Sequence, residues 1–477
     1  MRNSYPMPCA VFKQFEAISA IPHGSGNTKE ISRYCVDFAK KHGLDVMSDA
    51  AGNVRICKDA TPGYENRPTV ILQGHLDMVC AKDESCGKNM ENDALTLKFG
   101  DEYLEAEGTT LGGDDGIAVA YALALLASDC IPHPKLNVIL TVDEEIGMLG
   151  AAALSPDWLD GAYLLNIDSE EEGVFTVGCA GGVRVHLHLN AETTKSSGKM
   201  LTVMVSGLCG GHSGTEIHRP LLNANIAMRR ILSGIENVRI SAWNGGIRDN
   251  VIPTSASVSF LCCADETERI SAKIREICEQ IKAEYPEETG LTLQIEQQDV
   301  QDISAATISE TAKILAFLNE IPNGVTQMDE NLHMPKTSLN LGILTFSEGS
   351  LHLDILVRSG VNAEKDVLAK KLHDAAERFG GTFRDEGDYP AWEYEPNTAL
   401  EATAVRCYQK LYGEKPCVQT IHAGLECGVL AAKTSGLQCL SIGPDILDIH
   451  TPRERLSLTS AARTWSLLLE LIKNIGA

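Results

Sequence analysis

The amino-acid sequence predicts an α/β protein in which a mixed β-sheet flanked by helices is interrupted by an inserted α+β domain. Three observations carry this prediction. Strand and helix signals alternate over residues 1–190, the same alternation returns over residues 389–477, and the residues between them follow a different order. Alternating short strands and helices are typical of a largely parallel or mixed sheet covered by helices. A chain of 477 residues is also long enough for two or three domains.

The two outer parts supply the elements of the predicted sheet. The first part contains strand PTVILQ (68–73), a helix over 115–128, strand LNVILTV (136–142) and strand AYLLNI (162–167). The last part adds a helix over 398–412, strands VQTI and LQCLSIG, and a final helix over roughly 457–475. We therefore assign residues 1–190 and 389–477 to the two parts of one α/β domain.

The residues between these parts predict an inserted domain of two related lobes. MLTVMVSG, a helix near 219–234, a strand near 237–242, VIPTSASVSFLCC, a helix near 266–284 and LTLQIEQQ have the β-α-β-β-α-β order of a ferredoxin-like lobe. A second, less complete α-β-β-α-β series runs from about 304 to 386. We place this domain at residues 191–388, since insertions are tolerated where the ends of the insert lie close together.

The composition excludes several classes of partner. Lys and Arg number 41 against 65 Asp and Glu, a net charge of −24, which argues against nucleic acid or an anionic membrane as a partner. The longest apolar run, residues 116–127, is too short to span a membrane. The first 22 residues lack a basic segment followed by an apolar one, so we expect no signal peptide. The 15 scattered cysteines, without a C-x-x-C pair, fit reduced thiols in a cytoplasmic protein.

Acidic and imidazole side chains follow the predicted strands. His75 and Asp77 end the first strand and project from the same face, because residues i and i+2 of a strand point the same way. Taken singly, each polar group has an ordinary explanation, such as a helix cap or a solvated charge. Together they form a series at successive strand ends, which is where open α/β sheets bind ligands: His75, Asp77, Asp114, Glu144, Glu145, Asp168 and His450.

This set of side chains suits a hydrolytic site with two metal ions. One carboxylate can bridge two divalent ions, each of which also binds imidazole and carboxylate ligands and shares a water. The water becomes acidic, and a carboxylate that does not bind metal accepts its proton. Adjacent glutamates such as Glu144 and Glu145 can divide these two tasks. No cysteine lies at these positions, so we expect zinc, with cobalt or manganese as substitutes.

Several motifs carry a family resemblance. GHLDMV, GTTLGGDDGIAVA, DEEIGMLGA, NIDSEE, GGHSGTEIHRPLLNAN, HAGLECG and DIHTP occur in this order between residues 74 and 452. Together they resemble the di-zinc exopeptidase family of aminoacylases and dipeptidases. LGGDDG departs from the pattern, since relatives often have Ala-Asp-Asn around the bridging aspartate. The resemblance also implies a cis peptide bond after that aspartate.

The resemblance implies two zinc ions and their ligands. Asp114 matches the bridging carboxylate, His75 and Asp168 match the remaining ligands of one ion, and Glu145 and His450 match those of the other. The fold it implies is a di-zinc exopeptidase catalytic domain with a mixed sheet, and the inserted domain would be its lid.

The resemblance also implies roles for side chains that do not bind metal. Glu144 matches the general base, and Asp77 matches the carboxylate that orients a histidine ligand. His212, in GGHSG, matches a histidine that contacts the substrate and stabilises its oxyanion. Arg358 could contact a substrate carboxylate, and Glu426 could receive its α-amino group. A structural Arg at a strand end and a carboxylate at a helix start are the alternatives.

We therefore expect a cytoplasmic metallopeptidase that cleaves dipeptides with a free N-terminus, including Xaa-His dipeptides. Its partners would be small peptides, without nucleic acid or membrane, and a homodimer is compatible with the sequence. A second hypothesis is an N-acyl-amino-acid deacylase or carboxypeptidase on the same scaffold. A third, a metal-binding protein without catalytic activity, would have lost a ligand or the base, and the sequence retains all of them.

Overall fold

The computed structural model describes residues 5–330 and 332–476. These residues form two compact units. The first contains the described chain up to Cys179, Tyr394–Thr420 and the chain from Leu425 onward. The second contains Ala180–Glu393 and Ile421–Gly424.

The chain up to Cys179 alternates helices and strands. In order, its elements are α1 (Cys9–Ser19), α2 (Lys29–Lys41), β1 (Asp45–Ser48), β2 (Val54–Lys58), β3 (Val70–His75), β4 (Leu97–Phe99), β5 (Tyr103–Ala106), α3 (Gly113–Leu126), β6 (Leu136–Thr141), α4 (Leu149–Ala153), a 3-10 helix (Pro156–Trp158), β7 (Tyr163–Asn166) and β8 (Val174–Cys179).

The middle of the chain is dominated by long strands. Its elements are β9 (Gly181–Asn190), β10 (Thr193–Ser206), β11 (Gly211–His212), α5 (Ala224–Ser233), β12 (Arg239–Gly245), β13 (Val251–Ile252), β14 (Ala256–Cys262), a 3-10 helix (Ala264–Glu266), α6 (Thr267–Glu284), β15 (Thr292–Ala306), α7 (Ile308–Glu320), β16 (Gly324–Asp329), β17 (Met334–Ser347), β18 (Ser350–Ser359), α8 (Asn362–Arg378) and β19 (Thr382–Tyr389).

The last part of the chain returns to alternating helices and strands. Its elements are α9 (Ala399–Tyr412), β20 (Cys417–Ile421), α10 (Glu426–Ala431), β21 (Gln438–Ser441), β22 (Ile446–Leu447), β23 (Arg455–Ser457) and α11 (Leu458–Asn474).

The first unit is built on an eight-stranded mixed sheet in the order β1-β2-β6-β3-β7-β21-β8-β20. The four central strands β6, β3, β7 and β21 are parallel to one another. On one side of them β2 pairs antiparallel with β6 and β1 with β2, and on the other side β8 pairs antiparallel with β21. All six residues of β3 and of β6 are buried, as expected for central strands covered on both faces. Residues of α1, α2, α3, α9 and α11 join the sheet in one hydrophobic core. The predicted mixed α/β sheet is confirmed.

The second unit contains a nine-stranded antiparallel sheet. Eight strands follow the order β15-β10-β14-β12-β17-β18-β9-β19, and β16 also pairs with β17. The strands β10, β12, β14 and β15 with α5 and α6 have the predicted β-α-β-β-α-β order. The strands β9, β17, β18 and β19 with α7 and α8 repeat the same spatial arrangement, with β9 as the first strand. One lobe is therefore inserted into the other, and the pairing of β12 with β17 joins them in one sheet.

This arrangement moves the start of the inserted unit relative to the prediction. The sequence predicts its first residue at 191, whereas β9 pairs with both β18 and β19, so the second unit begins at Ala180. Its main segment ends at Glu393 instead of residue 388. In the described part of the chain, we find no helix with the length and apolarity needed to cross a membrane.

Candidate active site

The candidate site lies at one edge of the eight-stranded sheet in the first unit. The parallel strands β3, β6, β7 and β21 have their carboxyl ends at this edge. The register pairs His75 with Thr141 and Gln73 with Asn166, so three of these strands end nearly level. Side chains that follow these strands are thus brought together, at the position where open α/β sheets bind ligands.

His75, Asp114 and Asp168 meet at this edge. Nε2 of His75 lies 3.2 Å from Oδ1 of Asp114 and 3.4 Å from Oδ1 of Asp168. Nδ1 of the same ring lies 2.9 Å from the backbone carbonyl oxygen of Asp77, to which it can donate a hydrogen bond. When the ring is neutral, this hydrogen bond keeps the proton on Nδ1 and leaves the Nε2 lone pair facing the two carboxylates. A histidine that binds metal through Nε2 needs this tautomer.

A second imidazole approaches Asp114 from its other oxygen. Nε2 of His450 lies 3.1 Å from Oδ2 of Asp114 and 3.0 Å from Oε1 of Glu145. The two oxygens of Asp114 therefore face two different histidines. Two overlapping groups could hold a metal ion, each with ligand atoms within 4.8 Å of one another: His75, Asp114 and Glu145, and His75, Asp115 and Asp168.

Asp77 supports both the histidine and the glutamate pair. Its Oδ1 lies 3.5 Å from Nδ1 of His75 and accepts the backbone N–H of Glu144 over 3.0 Å. Its Oδ2 accepts the backbone N–H of Glu145 over 3.3 Å and the hydroxyl of Ser25 over 2.8 Å. The side chain of Asp77 is buried, so these contacts hold the loop after β6 in place.

Two carboxylates that the sequence patterns do not predict as site residues hold the loop before α3. Oδ2 of Asp115 accepts the backbone N–H of His75 over 3.0 Å. Glu454 accepts the backbone N–H groups of Leu111, Gly112 and Gly113 over 2.7–3.0 Å. Both act through the backbone, for which the sequence contains no recognisable signal. The peptide bond between Asp114 and Asp115 is cis, as the resemblance implies.

A glycine allows α3 to approach the end of β3 closely. A Cβ atom on Gly74 would lie 2.5 Å from Oδ2 of Asp115 and 2.7 Å from Cβ of Ala118. Any larger residue would therefore displace the helix start that carries Asp114. This requirement explains the glycine that precedes His75 in the sequence.

Burial and charge perturb the titration of the clustered groups. Burial raises the pKa of Asp168 to about 7, although His75 opposes the effect. Burial also raises the pKa of Glu144 well above its usual range; His75 opposes this rise, while Asp168 and Glu426 add to it. Burial acts to lower the pKa of His75, but Asp168 and Asp114 outweigh it and the net shift is upward. These shifts describe a buried site with more negative charge than its two imidazoles balance, which favours bound cations.

The side chains present fit a pair of divalent cations. The buried Oε1 of Glu145 lies 3.0 Å from Nε2 of His450, so a carboxylate oxygen and an imidazole nitrogen converge as two ligands of one ion would. Each oxygen of Asp114 lies opposite an imidazole nitrogen, as a bridging carboxylate requires. Imidazole nitrogens and carboxylate oxygens are donor atoms that zinc accepts.

Glu426 is fully buried at the start of α10. Its Oε2 accepts hydrogen bonds of 2.6 Å from Nε2 of Gln73 and from the hydroxyl of Thr141. Among the described residues, its Oε1 has no hydrogen-bond partner. Burial raises the pKa of Glu426 to about 7, against the opposing effect of His75. The free oxygen is available for a donor such as an ammonium group.

His212 and Arg358 lie in the second unit. Nδ1 of His212 accepts the backbone N–H groups of Gly214 over 3.3 Å and of Thr215 over 3.2 Å. Burial, and then the cation of Arg358, lower the pKa of His212. The ring is thus held neutral with its proton on Nε2. Arg358 is 6% exposed and donates to the hydroxyl of Tyr389 over 2.8 Å, while its Nε makes no hydrogen bond within the part of the chain that the structure describes.

Comparisons with known proteins agree with this geometry. Residues 71–474 match peptidase family M20/M25/M40. The chain is 36% identical to the cytosol non-specific dipeptidase of Escherichia coli (strain K12) over 478 aligned residues, which cover 98% of each protein.

The chain is also similar to solved structures of peptidases. The chain superposes on the crystal structure of aminoacylhistidine dipeptidase from Vibrio alginolyticus with a TM-score of 0.91 and 34% identity, covering 100% of this chain and 98% of that one. Aminopeptidase PepT from Bacillus cereus shares the fold alone, with a TM-score of 0.57 and 15% identity over 98% of both chains. The chain is thus a hydrolase and belongs to peptidase family M20/M25/M40.

Proposed function

We propose that this chain is a dipeptidase that cleaves dipeptides with a free N-terminus, including Xaa-His dipeptides, with the help of two zinc ions. The observation that carries the proposal is the position of Asp114, whose two oxygens face His75 and His450. The names of the Escherichia coli and Vibrio alginolyticus relatives, a dipeptidase and an aminoacylhistidine dipeptidase, support the substrate class.

The proposed ligands are five side chains of the first unit. Asp114 would be shared by both ions, His75 and Asp168 would hold one of them, and Glu145 and His450 would hold the other. When bound, the ions would polarise the peptide carbonyl and make the attacking water more acidic. Cobalt or manganese could substitute, since both accept the same donor atoms.

Glu144 is the proposed general base. It accepts a proton from the attacking water and returns it to the nitrogen of the leaving amino acid, so the proton balance closes within one turnover. Its raised pKa brings the carboxyl nearer the operating pH, where a base is most effective. Asp77 positions it through the backbone N–H and orients His75 at the same time.

His212 is the proposed donor to the oxyanion of the substrate. Two backbone N–H groups occupy its Nδ1, so the neutral ring presents Nε2–H as its hydrogen-bond donor. A donor that is already in the correct tautomer requires no reorganisation when negative charge develops. This role comes from the resemblance of GGHSG, and the tautomer makes it chemically suitable.

Glu426 and Arg358 are proposed to recognise the two charged ends of a dipeptide. Oε1 of Glu426 would accept a hydrogen bond from the α-ammonium group, which gives a requirement for a free N-terminus. The unpaired Nε of Arg358 would serve the α-carboxylate. An N-acyl-amino-acid deacylase or a carboxypeptidase would have no use for Glu426 in this role, because its substrates are blocked or extended at that end.

A substrate panel tests the proposal. We expect zinc-dependent release of histidine from carnosine and from α-linked Xaa-His dipeptides, and no release from their N-acetylated counterparts. A chelator should abolish the activity and zinc should restore it. Faster hydrolysis of the acetylated compounds would identify a deacylase instead. A cytoplasmic location, suggested by the name of the Escherichia coli relative, is part of the same proposal.

A further inference from the structure

We propose that the second unit binds a further divalent transition-metal ion, with zinc as the reference ion, on the face of its sheet that is turned away from the hydrophobic core. The ligands are His186, His352 and Asp354. They lie on β9 and β18, outside the cluster of carboxylates and imidazoles in the first unit. One ligand atom from each lies within 4.8 Å of the others.

Strand pairing explains why these side chains converge. β9 and β18 are antiparallel, and His186 lies directly opposite Asp354 in the register. His352 precedes Asp354 by two residues and therefore projects from the same face. The intervening residues Leu187 and Leu353 are fully buried on the core side, which fixes the histidines and the aspartate on the other face. Sheet geometry thus places two imidazoles and one carboxylate together without help from a loop.

The contacts within the cluster resemble a metal site without its ion. Oδ1 of Asp354 lies 2.6 Å from Nδ1 of His186 and 2.8 Å from Nε2 of His352. The two rings are nearly parallel, at 18°, with centroids 6.1 Å apart. In a tetrahedral zinc site with bonds of about 2.0–2.1 Å, ligand atoms are roughly 3.3 Å apart. Small side-chain rotations would open this spacing, and His352 is only half-buried, so it can move.

An outer carboxylate completes the arrangement around His186. Nε2 of His186 is buried, has no hydrogen bond to any of the described residues, and lies 3.5 Å from Oε2 of Glu386. Binding through Nδ1 would place the ring proton on Nε2, where Glu386 can accept it. Histidines that bind metal commonly donate their other N–H to a carboxylate. The same Oε2 of Glu386 also forms an exposed ion pair with Nη2 of Arg384 over 2.9 Å.

Two histidines and one carboxylate leave the remaining coordination positions to water. Nitrogen and oxygen donors of this kind bind zinc. They also bind nickel(II) and copper(II), and the affinity for copper(II) is expected to be the highest of the three. The ion would cross-link β9 to β18 in the second lobe. We therefore expect it to protect these strands from hydrogen exchange and to raise the thermal stability of the full chain.

The test compares zinc content across matched full-length proteins dialysed in the same zinc-buffered solution. His352→Ala and Asp354→Asn should each bind one zinc fewer than the wild type. His188→Ala is the control, because His188 lies on the same face of β9 but hydrogen-bonds Ser350 and lies outside the cluster. It should retain the wild-type zinc content. Hydrogen exchange in β9 and β18 should slow on zinc addition in the wild type and the control only.

Equal zinc content in all the proteins would overturn the proposal, as would an equal loss in the His188→Ala control. The measured quantity is the difference in zinc content between the wild type and each variant, so it does not depend on how many ions the first unit binds. Dipeptide turnover measured alongside separates the two proposals. Zinc lost from the cluster should leave kcat unchanged, whereas failure of the proposed function would appear as absent turnover in the wild type.

Discussion

Asp77 and Glu144 are joined by a hydrogen bond in which the backbone N–H of Glu144 donates to Oδ1 of Asp77 over 3.0 Å. The same carboxylate lies against Nδ1 of His75. One residue thus contacts both a proposed metal ligand, with its backbone carbonyl oxygen 2.9 Å and its carboxylate 3.5 Å from Nδ1 of His75, and the loop that carries the proposed base. Oδ1 also accepts from Glu144 while Oδ2 accepts from Glu145, so in an amide the nitrogen would face one of these two backbone N–H groups.

Replacement of Asp77 by Asn should therefore impair both zinc binding and turnover. Loss of such an orienting group typically costs about 10–100-fold in metal affinity or activity. Zinc titration and kcat on one dipeptide measure the two effects. Ser25→Ala is the matched control, because it removes a single hydroxyl donor to the same carboxylate and should have a much smaller effect. Equal effects of the two variants would show that Asp77 has no special role.

Glu454 provides a prediction about the loop that carries Asp114. Glu454→Gln should lower the free energy of unfolding by about 1–3 kcal/mol, because an amide leaves at least one buried backbone N–H of this loop unpaired. Zinc affinity should fall with it. Denaturant unfolding, with and without zinc, measures both quantities. Glu105→Gln, at an exposed position of β5, should change neither. A stable Glu454→Gln protein with normal zinc affinity would contradict the assignment.

His212→Ala should lower kcat strongly while zinc content stays unchanged. Removal of one oxyanion donor costs about 10²–10³-fold in kcat in a well-studied hydrolase. His212→Gln, which retains an N–H donor, should recover part of the loss. Steady-state kinetics give kcat and KM of these variants, and a metal assay on the same samples gives their zinc content. A rise in KM with an unchanged kcat would instead assign His212 to substrate binding.

His422 gives a prediction about pH and stability. Burial, and then the cation of Arg358, lower its pKa to about 3, whereas an unfolded histidine titrates near 6.5. The folded chain therefore excludes a proton that the unfolded chain binds between these values. Stability contributed by neutral His422 is complete above about pH 6.5 and is lost as the pH falls toward 3, by up to roughly 1.4 kcal/mol per pH unit.

The measurement is the pH dependence of unfolding for the wild type and for His422→Gln, which keeps a polar partner for Ser338 but does not titrate. Below pH 6.5, the free energy of unfolding should fall more steeply with decreasing pH in the wild type than in His422→Gln. The difference in slope should correspond to about one additional proton bound on unfolding. Hydrogen exchange in β17 gives a local readout in the second unit. Parallel curves for the two proteins would contradict the shifted pKa.

Sequence patterns predicted the parts of the site that depend on strand geometry. His75 and Asp77 share a face because they are two residues apart, and the glutamate pair and Asp168 join them because parallel strands end at one edge of the sheet. Asp115 and Glu454 were missed because they act on backbone N–H groups, whose positions depend on the folded loop. The first strand of the second lobe was also missed, since a whole lobe separates β9 from α7 in the sequence.

Glu144 is proposed to perform the proton transfer, while other side chains bind the metals. Zinc content and kcat of Glu144→Gln, measured on the same zinc-loaded sample, test this proposal most directly. Glu171→Gln, an exposed carboxylate three residues after Asp168, controls for the lost charge and should behave as the wild type. For Glu144→Gln we predict the zinc content of the wild type, including both ions of the first unit, and a loss of kcat of about 10²–10⁴-fold. Turnover within a few-fold of the wild type, with both ions retained, would contradict the account.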